Sequence, residues 1–270
     1  MTGRTMKTGR KHKADGYGPA GYVGDLLIPR TCLICGRRLY RKEKFLCIYC
    51  EADIPLTHYW MRTRNPMADR LNGLIQERIT SGILREGPEN PPRHAYFYAA
   101  ALFFYHGESG YKKITQRLKY AGDIAEGRRF ASILGDRIRE ADHFSDIDLV
   151  MPVPLHWTRR WKRGYNQAEV IAREIARILG VPVRTDILAR TRHTHTQTSL
   201  SVERKALNVM NAFAVRRRSA GTVSHFRHIL VVDDVFTTGA TIFSCFNALS
   251  PLLSPEARLS AATLGFVSNG

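Results

Sequence analysis

Apolar residues along the chain fall into short runs, and from about residue 95 onward these runs alternate between two kinds of spacing. Tyr96 to Tyr105, Asp148 to Val153, Val183 to Leu188, Ala212 to Val215, His228 to Asp234 and Leu259 to Val267 are compact and apolar, as buried strands are. Between them, Tyr111 to Ala141, a stretch from about Gln167, and Ala240 to Leu249 carry helical spacing. In the second of these, Ala168, Ile171, Ala172, Ile175 and Leu179 form one stripe, with Arg173, Glu174 and Arg177 lying off it. The alternation predicts an α/β fold with a mostly parallel sheet flanked by helices. In such sheets ligands bind at the carboxyl ends of the strands. There is no internal repeat.

The N-terminal third reads differently. Met1 to about Gly21 mixes Lys, Arg, Gly and Thr with almost no apolar content, too little to offset the entropy of ordering, so residues 1–24 are expected to form a disordered basic tail. Residues 25–60 are dominated by cysteines. Residues 61–94 read as a linker, in which Asn65, Pro66, Gly87, Pro88, Asn90, Pro91 and Pro92 flank a helix around Met67 to Leu84. The α/β domain then occupies 95–270, its boundary near Pro91 and Pro92. The longest apolar stretch, Tyr96 to Tyr105, is shorter than the ~18 residues a membrane helix needs, so no membrane insertion is expected. No apolar run follows the basic N-terminus, which does not read as a secretory signal, and the expected location is cytoplasmic. Lys plus Arg outnumber Asp plus Glu by 41 to 24, a formal charge of +17. That favours phosphate-rich partners, nucleic acid or a polyphosphorylated metabolite, although a basic solvated surface would give the same count.

Cys32, Cys35, Cys47 and Cys50 form two CxxC pairs around a short loop carrying Gly36, Arg37 and Arg38. Each pair turns two thiolates toward one point, and together they close an all-sulfur tetrahedral shell, the arrangement of structural Zn2+. With four protein ligands no coordination position stays open for catalysis. Two disulfides or an iron–sulfur cluster are the alternatives, the former disfavoured in a reducing compartment. Cys245, between Phe243 and Phe246 on an apolar helix, reads as an inert buried thiol.

The stretch HILVVDDVFTTGATI, His228 to Ile242, carries the most chemistry. A buried strand delivers adjacent carboxylates, Asp233 and Asp234, at its end; Val235 and Phe236 lead into the turn Thr237, Thr238, Gly239, Ala240, Thr241 at a helix N-terminus. Backbone N–H groups and hydroxyls there can surround a phosphate, with Gly239 removing a side chain where backbone approaches ligand. The carboxylates can accept hydrogen bonds from the hydroxyls of an attached ribose. Helix capping alone would account for one such residue, not for two acids and the whole loop. A nucleotide hydrolase would need a GxxxxGK[ST] element, and the chain has none.

This stretch resembles the signature of type I phosphoribosyltransferases, and the wider match is to the ComF family. The resemblance runs from about Leu26 onward, through LLIPRTCLICGRRL and the second CxxC, RLKY (Arg117 to Tyr120), MPVPLHWTRRWKRGYNQA (Met151 to Ala168), RTRHTHTQTSL (Arg190 to Leu200) and ERKALNVMNAF (Glu203 to Phe213). It implies a phosphoribosyltransferase-like domain behind a small zinc-ribbon-like module, in a family associated with DNA uptake in natural competence. It implies binding of 5-phosphoribosyl-1-pyrophosphate with Mg2+, Asp233 and Asp234 orienting the ribose and the Thr237 to Thr241 loop holding the 5-phosphate. Pro152, Val153 and Pro154, followed by Arg163 to Gln167, match the pyrophosphate loop. Arg190 to Arg204 matches a loop that closes over substrate, from which Arg190, Arg192 or Arg204 would neutralise departing pyrophosphate. His193 and His195 read as loop histidines without a Cys or acidic partner.

Two functions stay open at this stage. One is a phosphoribosyltransferase with an unidentified acceptor. The other is a non-catalytic accessory protein that binds single-stranded DNA, alone or with competence and DNA-uptake proteins. The second reading rests on Arg37, Arg38, Arg41, Lys42 and Lys44 at the cysteines, and on Arg159, Arg160, Lys162 and Arg163 beside Trp157, Trp161 and Tyr165. Basic groups interleaved with aromatics suit phosphate contact and base stacking.

Overall fold

A computed structural model describes residues 30–40, 42–80, 97–105, 110–120, 124–191, 212–254 and 256–268. The expected tail 1–24, Arg41, the turn residues Gly87 to Pro92, and Arg192, His193, His195 and Arg204 lie outside the described residues. The chain divides into two compact units, one ending at Ala52 and the other beginning at Asp53.

In the smaller unit, backbone bonds shape the cysteine knuckles: Cys32 N donates to Arg37 O at 2.7 Å, Gly36 N to Cys32 O at 2.9 Å and Leu33 N to Phe45 O at 3.0 Å. The Glu43 carboxylate accepts from Tyr40 N and Ile48 N, each at 2.7 Å, and so fixes the entry to a short helix, α1 (Ile48–Ala52).

The larger unit opens with α2 (Pro66–Thr80). Buried Asn65 starts it, accepting from Met67 N and Ala68 N through Oδ1 and donating from Nδ2 to Ala99 O on the neighbouring strand. The region 61–94, read above as a linker, thus contributes a helix to the core, with Met67, Ala68 and Leu71 fully buried. Then come β1 (Tyr98–Phe104), α3 (Lys112–Tyr120), α4 (Ile124–Arg139), β2 (Leu149–Pro152), α5 (Trp157–Arg163), α6 (Gln167–Leu179), β3 (Leu188–Arg190), β4 (Phe213–Val215), β5 (His228–Phe236), α7 (Ala240–Leu249) and β6 (Arg258–Phe266).

Four strands form one sheet in the order β1-β6-β5-β2, every pairing parallel. Their residues are buried on both faces, which is why the sequence shows continuous apolar runs instead of alternation. One face, with Ala99, Ala101, Leu149, Met151, Ile229, Val231, Leu259 and Ala261, packs on α2 and α7. The other is covered by α4 and α6, which also pack on each other. The predicted stripe on α6 is buried except at Leu179, which is half-buried, and the helix is closed by Asn166 at its start and by Gly180 in the left-handed region at its end.

Two expected elements differ. Tyr111 to Ala141 is described as two helices, α3 and α4, with 121–123 between them outside the described residues. Val183 to Leu188 is not a continuous strand. Val183 makes a single parallel bridge to Val150, and Arg184 and Asp186 then pair at 2.8 Å in a turn, so the strand starts only at Leu188 and pairs antiparallel with β4. Among the described residues, no helix is long and apolar enough to cross a membrane.

Candidate functional site

The chain leaves β2 toward α6 and leaves β5 toward α7, helices on opposite faces of the sheet. A crevice opens where adjacent parallel strands part in this way. The last bond between the two strands is Val153 N to Val232 O at 2.8 Å. β5 continues past the expected end at Asp234, paired only with β6 as far as Phe236. By the two-residue period of the ladder, the next N–H on the vacated edge is that of Asp234, and Asp233 Oδ1 accepts it at 2.9 Å. The Asp233 carboxylate therefore folds over the edge at the mouth of the crevice. Asp234, pointing to the other face, meets Lys119 of α3, whose Nζ lies 2.6 Å from Oδ2.

Burial first, and the adjacent Asp234 carboxylate second, push the Asp233 carboxyl up to about 7. Burial works against the charge of Lys119, but its contact with Asp234 carries its pKa above the ordinary value. Arg190, at the end of β3, sets its guanidinium 5.2 Å from the Phe213 ring. Burial and then the charge of Arg159 lower its pKa, while Asp233 works in the opposite sense. Asp233, Arg190 and Arg159 thus share one electrostatic neighbourhood.

The Thr237 to Thr241 turn is held from outside. Arg70 of α2 donates to Thr237 O at 2.6 Å, with its guanidinium 5.5 Å from the Phe266 ring. Thr237 is exposed, Thr238 and Thr241 are half-buried, and Thr238 Oγ1 accepts from Ala240 N at 3.4 Å. Gly239 has φ +83°, and a Cβ there would lie 2.8 Å from Phe236 Cζ. Backbone conformation and the Phe236 ring thus each call for glycine at this position. The first N–H groups of α7 have no partner inside the helix and face this turn.

On the opposite lip, Pro152, Val153 and Pro154 are placed beside the mouth but present no free N–H. The prolines have none, and that of Val153 is spent on Val232. The Val153 carbonyl accepts from Asn166 Nδ2 at 2.9 Å. This segment shapes the lip, where Asn166 is the side-chain donor, while Arg163, on the following stretch, donates to Gln167 Oε1 at 3.1 Å. The structure thus brings together Asp233, Asp234, the threonine turn, the Pro152 to Pro154 lip and Arg190. Lys119 and Arg70 were missed. RLKY was noted without a role for its lysine, and nothing in the linker reading singled out Arg70.

In the smaller unit the sulfurs of Cys32, Cys35, Cys47 and Cys50 all lie within 4.8 Å of one another, Cys35 and Cys47 at 3.7 Å. Zn–S bonds of about 2.3 Å in a tetrahedron put sulfurs roughly 3.8 Å apart, so the four residues can hold a metal and fit structural zinc. Arg37 lies over the Tyr49 ring at 4.6 Å, and Tyr40, Ile48 and Tyr49 are exposed. In the larger unit, α5 carries Trp157 and Trp161 at 73% and 88% exposure, with Arg160 also exposed. The side chain of Lys162 lies outside the described residues.

Fold and site define an α/β protein with a parallel sheet and an appended four-cysteine, metal-binding type of module. No family model matches the chain. It is 34% identical over 143 residues to competence protein F of Haemophilus influenzae, a match covering 52% of this chain and 60% of that protein. It is 37% identical over 95 residues to the DNA utilization protein YhgH of Escherichia coli, covering 35% of this chain and 40% of that protein. YhgH of Salmonella typhi is 36% identical over 95 residues. The printed names of these relatives concern competence and DNA utilization, and the chain is similar to them over the stretches given. The chain spans 60% or less of the length of these curated relatives.

Proposed function

We propose that the chain binds 5-phosphoribosyl-1-pyrophosphate with Mg2+ at the mouth of β5 and acts in DNA uptake as a phosphoribosyltransferase-like protein. One observation carries this reading: an acid pair at the point where β2 leaves β5, followed two residues later by a Thr-Thr-Gly-Ala-Thr turn leading into α7. Asp233 and Asp234 accept from the ribose hydroxyls, and the turn takes the 5-phosphate on its N–H groups and hydroxyls. When bound with the ligand, Mg2+ supplies neutralisation of pyrophosphate charge. In transfer, the bond from the anomeric carbon to pyrophosphate breaks with its electron pair, and an acceptor lone pair forms the new bond. The cationic charge of Arg190, Arg192 or Arg204 favours departure of the pyrophosphate.

Calorimetric titration with 5-phosphoribosyl-1-pyrophosphate and Mg2+ tests the site, with Asp233→Asn, Asp234→Asn as control. Saturable binding that the variant loses is expected; no binding by the wild type overturns the reading.

A second reading, a non-catalytic accessory protein for single-stranded DNA, is favoured by the exposed Trp157 and Trp161 beside the arginines of α5. The two are compatible. If DNA uptake survives in the Asp233→Asn, Asp234→Asn variant after ligand binding is lost, the enzymatic reading fails and the accessory reading stands.

A further inference from the structure

The RLKY stretch has no role in the reading above, yet it delivers a cation to the acid pair. Lys119 is held in place on α3 by its neighbour. Leu118 is 1% exposed and fills the notch at Gly127, where a Cβ would lie 2.5 Å from Leu118 Cδ1. The Leu118 carbonyl accepts from Tyr165 Oη, in the RGYNQ stretch after α5. The turn of helix from which Lys119 projects is thus anchored on both sides. Its side chain is 26% exposed and that of Asp234 12%, so the contact is only weakly screened.

The two carboxylates together have four oxygens. Among the described residues, Asp233 Oδ1 is committed to Asp234 N and Asp234 Oδ2 to Lys119 Nζ. That leaves Asp233 Oδ2 and Asp234 Oδ1, one acceptor on each of two successive residues. Two neighbouring hydroxyls need two acceptors, each held still.

We propose that Lys119 is a positioning residue of the acid-pair site, holding Asp234 so that one oxygen of each aspartate is presented to a vicinal diol and the site selects ribose over 2-deoxyribose phosphates. This rests on the phosphoribosyl reading and extends it to a residue outside the signature. The lysine touches no ligand; it acts through Asp234.

The test is calorimetric titration of the purified full chain with ribose 5-phosphate and with 2-deoxyribose 5-phosphate, for the wild type, Lys119→Met and Lys119→Arg, each checked by thermal melting. Where Lys119→Met does not fold, Lys119→Gln replaces it. The wild type is expected to prefer the ribose compound about tenfold or more, because a missing hydroxyl strands a charged acceptor. Lys119→Met is expected to bring the ratio near one, and Lys119→Arg to restore most of it. A wild-type ratio retained in Lys119→Met, or equal weakening toward both sugars, overturns the inference while the phosphoribosyl site stands. A wild type that binds neither sugar phosphate nor 5-phosphoribosyl-1-pyrophosphate overturns the phosphoribosyl reading, and this inference with it.

Discussion

The two ends of β5 both carry titratable side chains, and the fold treats them in opposite ways. At the amino end, His228 is fully buried with both ring nitrogens engaged, Nδ1 at 2.7 Å from Asp146 Oδ1 and Nε2 at 2.7 Å from Ser260 Oγ. Asp148 accepts from the backbone N–H groups of Arg227 and His228, and Arg258 pairs with Asp146. In residue types this is a Ser–His–Asp relay. Ser260, however, is 0% exposed and sits at the amino end of the strands, so no substrate reaches its hydroxyl. At the carboxyl end, the acid pair keeps acceptors in hand beside a crevice. The same chemistry is scaffold where every polar valence is met and candidate site where some are left over.

Exchanging the two readouts would break that contrast. Asp233→Asn with Asp234→Asn is expected to weaken binding of 5-phosphoribosyl-1-pyrophosphate by ~100-fold or more with a small net change in stability, since relief of the like-charge pair offsets loss of the Lys119–Asp234 contact. His228→Ala should do the reverse. It leaves Ser260 Oγ and Asp146 without the imidazole and costs about 3 kcal/mol, read by denaturant titration, with ligand affinity unchanged.

pH sharpens the comparison, because the two ends act with opposite sign. Burial lowers His228 to about 4 from the ordinary 6.5. Its contribution to stability is full above 6.5 and is lost as pH falls toward 4, because only the unfolded chain takes up the proton. Asp233, raised to about 7 from 3.8, contributes fully below 3.8, and that contribution is lost as pH rises toward 7. Between pH 4 and 6.5 the two slopes oppose each other. In Asp233→Asn only the histidine slope remains, and stability is expected to rise by up to ~2 kcal/mol between pH 4.5 and 6.5. A wild-type profile that already rises as steeply as that of Asp233→Asn would show that Asp233 titrates normally.

Much of this contrast is legible in the sequence, because it follows the chain locally. The apolar run ending in Asp233 and Asp234, the threonine turn and the CxxC pairs each declare themselves within a few residues. The partners do not. Lys119 reaches Asp234 across the whole of α4, β2 and α6, and Arg70 reaches Thr237 from a segment read as linker; neither contact has a periodic or local signature. The strand expected at Val183 fails for a local reason, since the Arg184–Asp186 pair stabilises a turn that apolar counting does not see.

Gly239 is a smaller probe of the carboxyl end. Its φ of +83° and the Phe236 ring, 2.8 Å from where a Cβ would sit, both oppose a side chain. Gly239→Ala is expected to cost about 1–2 kcal/mol in thermal or denaturant unfolding, and to weaken phosphate binding a few-fold by displacing the first turn of α7. A loss confined to stability would mean that the turn does not hold the phosphate.

The smallest effect on the fold is expected from Trp161→Ala. The indole is 88% exposed and contributes little burial, so stability should stay within about 0.5 kcal/mol and 5-phosphoribosyl-1-pyrophosphate affinity should be unchanged. Exposure on this scale leaves the ring face free to stack on a base, a contact that is worth about 1–3 kcal/mol where it forms. Fluorescence titration with single-stranded oligonucleotide at low salt should then show affinity falling between roughly fivefold and a hundredfold, whatever the base sequence. Unchanged affinity would take α5 out of any nucleic-acid surface and leave the acid-pair mouth as the functional feature of the larger unit.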